Sequence, residues 1–171
     1  MNTHRPSLKI KYAATLSALF LAFSGAPAHA AKVPAAYNFS GTTVTGTAFN
    51  GSVLAGKPTV LWFWAPWCTI CRAESPDLVA LAKTFKNRIN VVGVAGLGNL
   101  EDMRAFVSDT KTGNFRHLAD VDGQLWSYFG VVSQPTFVFI SSKGVRYTRV
   151  GAMQKADLFA STKKLIKGKA I

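Results

Sequence analysis

A chain of 171 residues with 20 Lys and Arg against 8 Asp and Glu carries a net charge of +12, which invites a nucleic-acid reading. The basic residues are scattered and only the closing "KKLIKGK" is clustered, so no nucleic-acid partner is expected, and the charge reads as a solvated surface that attracts acidic partners or an anionic envelope loosely. The length is that of one domain able to bury its own core, with no repeat or low-complexity tract.

In chain order, Arg5, Lys9 and Lys11 precede an apolar stretch, Ala13 to Phe23, and then small residues ending in Ala28-His29-Ala30. This is the order of a secretory signal peptide over residues 1–30, with cleavage expected after Ala30. The apolar run is far shorter than the roughly 18 residues that span a bilayer. No arginine pair marks the twin-arginine route, and no cysteine near the cleavage site offers a lipid anchor. The expected product is residues 31–171, a monomer outside the cytoplasmic membrane with no stable membrane anchor.

Residues 37–49, "YNFSGTTVTGTAF", predict a β-hairpin. "PTVLWFWA" (58–65) is a continuous apolar run, the pattern of a strand buried on both faces. From Cys68 the spacing turns helical, with Leu78, Leu81, Ala82 and Phe85 at intervals of three and four, and Pro76 predicts a kink. "INVVGVAG" (89–96) follows at the distance a strand–helix–strand crossover requires. A helix is expected near Leu100 to Thr110, a short strand around Phe115 to Leu118, and a brief helix capped by Asp120 or Asp122. "PTFVFI" (135–140), the turn "SSKG" and "VRYTRV" (145–150) predict a second hairpin. An amphipathic helix, about Lys155 to Lys167, closes the chain. These elements predict a layered α/β domain with a mixed central sheet.

The only two cysteines, Cys68 and Cys71, stand in "FWAPWCTICRAESP" (63–76). As a staple they would close a loop too small to constrain the unfolded chain much. A zinc site needs two further ligands, and beyond the pair there are only scattered histidines, of which His117 is isolated in an expected strand. Copper delivery would need further soft ligands. No metal and no cofactor is therefore expected, although a copper-binding chaperone stays open as a different class of function. The placement favours a redox couple. Cys68 falls where a buried strand delivers the chain into a helix, and the unpaired N–H groups and positive dipole end of that helix stabilise a thiolate. Cys71, one turn on, can then attack a mixed disulfide from within the helix. This makes Cys68 the exposed nucleophile and Cys71 the more buried resolving residue. Trp62, Phe63 and Trp64 read as core, and Trp67 as a lip of the active-site surface.

"WAPWCTICRAESP" resembles the active site of the thioredoxin superfamily, and within it the secreted TlpA/DsbE-like thiol–disulfide oxidoreductases, the mycobacterial secreted DsbE-like proteins above all. The likeness runs over residues 37–168 and includes Pro76 and the ordered segment "DG…YFGV…QPTFVFI…KG". It implies a thioredoxin-like fold with an N-terminal β-hairpin extension. It also implies a cis bond between Gln134 and Pro135, with Pro135 opposite the cysteines and the Gln134 backbone pairing with an extended substrate. Glu74, three residues after Cys71, matches a glutamate that in TlpA/CcmG-like proteins lies beneath the active site and assists proton transfer; as a first-turn glutamate it could equally complement the helix dipole. Trp62 stands where thioredoxin has a buried aspartate, so that relay is missing here.

The resemblance implies exported proteins with cysteines as substrates and a redox recycling partner that the sequence does not identify. Thr69-Ile70, between the cysteines, bears on the potential but does not give it. Likeness to secreted oxidases and the lack of a tether to a membrane electron donor favour an oxidant that forms disulfides. The alternative is a TlpA/CcmG-like reductant in cytochrome c maturation. A peroxidase is the weaker reading, since Cys-x-x-Cys at such a junction is not its usual arrangement.

Overall fold

The computed structural model describes Met1, Asn2 and residues 32–171. The expected signal peptide, 1–30, falls almost wholly outside the described residues. Among those residues, no helix is long and apolar enough to cross a membrane.

Residues 32–171 form one compact unit. A 3₁₀ turn at Ala35–Tyr37 leads into a hairpin, β1 (Ser40–Thr43) and β2 (Ala48–Asn50), as the alternating small and β-branched residues predict. After a second 3₁₀ turn, Gly51–Leu54, come β3 (Thr59–Trp64), α1 (Thr69–Thr84), β4 (Asn90–Ala95), α2 (Leu100–Asp109) and β5 (Arg116–Ala119). Then follow α3 (Gln124–Phe129), the hairpin β6 (Thr136–Ile140) and β7 (Arg146–Val150), and α4 (Lys155–Ile166). The seven strands make one mixed sheet in the order β2-β1-β5-β4-β3-β6-β7. β3 lies parallel to β4 and antiparallel to β6, and β4 lies parallel to β5. The N-terminal hairpin joins this sheet through the antiparallel β1–β5 pair, so it widens the sheet at one edge.

Every residue of β3 is buried, which accounts for its unbroken apolar sequence. Its alternation divides the core. Val60, Trp62 and Trp64 face one cluster with Cys71, Leu78 and Leu81 of α1, Met103 and Phe106 of α2, and Leu158 and Leu165 of α4. Leu61 and Phe63 face the other, with Leu125, Trp126 and Phe129 of α3 and Tyr37 and Phe39. Each fully buried leucine in these clusters contributes about 1.5–3 kcal/mol.

Pro76, at which a kink is expected, stands inside α1. Proline has no N–H for the carbonyl four residues back, and the Ser75 hydroxyl donates to that carbonyl, Arg72 O, at 2.8 Å. In α3 the N-cap residue is Gly123, in the left-handed region at φ 75°, and not Asp120 or Asp122. The aspartates act from outside the cap position: Asp120 accepts from the N–H groups of Leu125 and Trp126 at 2.9 and 2.8 Å, and Asp122 from that of Gln124 at 3.3 Å. Sequence shows that a carboxylate is available there, but the turn geometry chooses which N–H groups it reaches.

Candidate active site

β3 ends at Trp64, and Ala65-Pro66-Trp67 carries the chain to Cys68, the N-cap of α1. The two sulfurs are bonded to each other, with Cα atoms 5.2 Å apart. Cys68 Sγ also accepts the Cys71 N–H at 3.0 Å, so the sulfur occupies the position a capping oxygen would take. The first turn of α1 contains no acidic residue, and no fixed negative charge there offsets the positive helix end. Cys68 is 6% exposed and Cys71 0%. The order of exposure is the expected one, but Cys68 is not an exposed residue, because its sulfur folds over the first turn of the helix.

Cys71, Glu74, Ser75, Leu78 and Leu81 are the buried residues of α1, one face at intervals of three and four. A carboxyl group thus lies, beside the Ser75 hydroxyl, in a largely apolar stripe, one turn beyond Cys71. Glu74 is 7% exposed. Its Oε1 accepts the Trp62 indole N–H at 2.8 Å and its Oε2 the Met153 backbone N–H at 3.4 Å. Burial pushes the carboxyl up to about 7 against these two hydrogen bonds, and Asp77 adds to the rise. Glu74 therefore changes charge near neutral pH.

Trp64 makes a second polar contact on the same face. Its indole N–H donates to His117 Nδ1 at 3.2 Å, and His117 Nε2 lies 3.1 Å from Thr112 O. Burial holds the imidazole down at about 4, so it is neutral at physiological pH, with Nε2–H donating to the Thr112 carbonyl. Gly93 of β4 makes room for this pair: a Cβ there would collide with the His117 ring and the Trp64 indole. Trp62 and Trp64 therefore belong to the core, as expected, but each also satisfies a buried polar group. Sequence reading missed both contacts, as well as the Met153 N–H, since their partners come from other elements far along the chain.

Trp67 is 62% exposed, and its indole N–H donates to Leu97 O at 2.9 Å, tying this residue to the loop after β4. Ile70, Leu97 and Val132 are exposed too, Val132 at 89%. Gln134 is half-buried and Pro135 buried, and the bond between them is cis. The β3–β6 register pairs Phe63 with Thr136, so Pro135 follows at the end of β3 from which the chain departs towards Cys68. The topology thus gathers Trp67, Cys68, Cys71, Gln134 and Pro135 at one end of the sheet. Among the described residues, no group of three or more His, Cys, Asp or Glu is placed to hold a metal ion.

The AhpC/TSA family model matches residues 32–148. The soluble secreted antigen MPT53 of Mycobacterium tuberculosis is 42% identical over 106 residues, which cover 62% of this chain and 60% of that protein. The match therefore spans less than two thirds of that relative. Among solved structures, MTB DsbF in its mixed oxidized and reduced forms superposes with a TM-score of 0.75 at 40% identity, covering 78% of this chain and 99% of that one. A secreted Mycobacterium tuberculosis disulfide oxidoreductase, homologous to E. coli DsbE, superposes at 0.69 with 35% identity, covering 78% and 97%. The fold is thioredoxin-like, a mixed central sheet flanked by helices, and the similar proteins include a secreted antigen and a secreted disulfide oxidoreductase.

Proposed function

The chain belongs to the AhpC/TSA family, and we propose that it is an exported thiol–disulfide oxidoreductase that oxidises cysteine pairs in other exported proteins. The observation that carries this reading is the Cys71 N–H donating to Cys68 Sγ at the N-terminus of a 16-residue helix. That N–H and the helix dipole act on Cys68 whether it is bonded or free, and they stabilise it most as a thiolate. Stabilising the reduced form makes a dithiol pair more oxidising. The resemblance to secreted disulfide oxidoreductases adds to this reading.

In the first step a substrate thiolate attacks Cys68 Sγ, the Cys68–Cys71 bond breaks, and Cys71 leaves as a thiolate. Glu74, neutral in part near pH 7, supplies a proton to Cys71. In the second step the other substrate thiolate attacks the substrate sulfur of the mixed disulfide, and Cys68 departs as the stabilised thiolate. The substrate loses two protons and two electrons; the cysteine pair takes the two electrons, one proton restores Glu74, and the other goes to solvent. A recycling partner then removes the electrons. Trp67 and the backbone of Gln134 before cis-Pro135 hold the substrate segment, with exposed Ile70, Leu97 and Val132 around it as an apolar rim. The same geometry run backwards is a reductase, the role of TlpA/CcmG-like proteins.

Two measurements test the proposal. Equilibration with glutathione should give a Cys68–Cys71 potential well above thioredoxin's value of about −270 mV, and a value at or below it sinks the oxidant reading. Refolding of reduced ribonuclease should be accelerated by the wild type and not by Cys68→Ser. Equal activity in the two would remove the thiol chemistry altogether.

A further inference from the structure

The proton-carrier role of Glu74 leaves open what Trp62 is for. Packing needs only an aromatic ring at this position. Trp62 is fully buried and clamped by Trp64, Phe106, Phe115 and His117, with ring centroids at 5.8, 6.1, 6.5 and 6.4 Å. Phenylalanine would serve that packing in kind. What tryptophan adds is one N–H, and that N–H is 2.8 Å from Glu74 Oε1.

We propose that Trp62 is a positioning residue for Glu74, whose indole N–H commits Oε1 as an acceptor and so directs the exchangeable proton to Oε2. An indole nitrogen donates and cannot accept, so a proton placed between Oε1 and Trp62 has no acceptor. The second oxygen is held much less firmly, by the Met153 N–H at 3.4 Å, and is the one free to gain and lose a proton. The ring that carries this donor is fully buried among four neighbouring rings, and close packing restricts its reorientation.

The charged groups around the carboxyl are few. On α1 itself there is Asp77, whose partner at 3.6 Å is Lys155 at the start of α4. From β5, His117 stands behind the Trp62 ring, buried and neutral. From α2 the neighbour is the Phe106 ring, and from the β7–α4 loop the Met153 N–H. Against this background a neutral N–H on Oε1 is the main local support for the charged form, and removing it should raise the titration midpoint of Glu74.

The inference rests on the proposed role of Glu74 but can be tested apart from it. The experiment is a side-chain carboxyl carbon NMR titration of Glu74 in the oxidised full chain, wild type against Trp62→Phe. The midpoint should rise by about one pH unit in the variant, a tenfold shift in proton affinity; an unchanged midpoint in a folded variant overturns the proposal. Should Trp62→Phe fail to fold, the wild type suffices: the Trp62 indole N–H resonance must move with the same midpoint as the carboxyl, and a resonance that ignores the titration overturns the proposal equally. The pH profile of thiol exchange in Glu74→Gln separates the two ideas. If it matches wild type while Trp62→Phe still shifts the Glu74 midpoint, Trp62 positions a carboxyl that carries no proton for the cysteines. If Glu74→Gln alters the profile and Trp62→Phe moves neither the profile nor the midpoint, Glu74 acts and Trp62 is packing alone.

Discussion

The two faces of β3 are equally buried, yet they differ in kind. On the cysteine side, Trp62 and Trp64 each direct an N–H at a buried polar partner, Glu74 and His117. On the far side, Leu61 and Phe63 pack against α3, whose Trp126 has a buried N–H with no partner among the described residues. The cysteine face thus encloses a carboxyl and an imidazole in aromatic rings, each partnered by an indole N–H, whereas on the far face the buried polar contact is between Tyr37 and Thr59 and the Trp126 N–H has no partner among the described residues. A buried unsatisfied donor costs about 1–3 kcal/mol, and α4, which packs on the cysteine face, carries one too in the Thr162 hydroxyl, so the faces differ in how their indole N–H groups are partnered and not in total cost. Burial alone does not distinguish the two sides of this central strand; the partners of its side-chain polar atoms do.

Four changes would break or sharpen that contrast. The largest effect is expected on the far face: Leu61→Ala should lower stability in urea unfolding by about 2–5 kcal/mol through the cavity it leaves, with the pH profile of thiol exchange unmoved. A moved profile would mean that the faces are not separable. Next comes the pH dependence of stability. Burial raises Glu74 from 4.5 to about 7, so between those values the folded protein keeps a proton that the unfolded chain has released, and stability falls as pH rises through the window. Glu74→Gln should remove that fall, a relative gain of about 1–3 kcal/mol between pH 5 and 8. His117 slopes the other way. Its midpoint drops from 6.5 to about 4, so stability is lost as pH falls through that range.

Trp64→Phe strips the buried Nδ1 of His117 of its donor and should cost about 1–3 kcal/mol by chemical denaturation. Trp126→Phe removes a donor that has no partner among the described residues, and should cost less than Trp64→Phe, under about 1 kcal/mol by the same measurement. Equal losses in these two variants would show that ring packing sets the cost, and the contrast between the faces would fail.

Much of this could be read from residue order. β3, β4 and β6 were legible because strands buried on both sides show continuous apolar runs, and α1 because Leu78, Leu81 and Phe85 keep helical spacing. The strand-to-helix junction at Cys68 followed from that switch of period, and the redox reading of Cys68 and Cys71 followed from the junction. Residue order also marked Glu74 as the acidic residue one turn past Cys71. It read Trp62 and Trp64 as core without their hydrogen bonds, and placed the α3 cap on an aspartate rather than on Gly123.

The division has a physical cause. Periodicity, capping and chain reversal depend on residues close in sequence, so strand order along the chain, helix limits and the position of the cysteine pair follow from local rules. The acceptor of an indole N–H depends on which element the sheet brings across from it: Glu74 is 12 residues from Trp62, His117 is 53 from Trp64, and Met153 is 79 from Glu74. Only the packing of α1, β5 and the β7–α4 loop against one face of β3 brings those groups together, and that packing makes a buried glutamate one turn past Cys71 titrate near neutral pH.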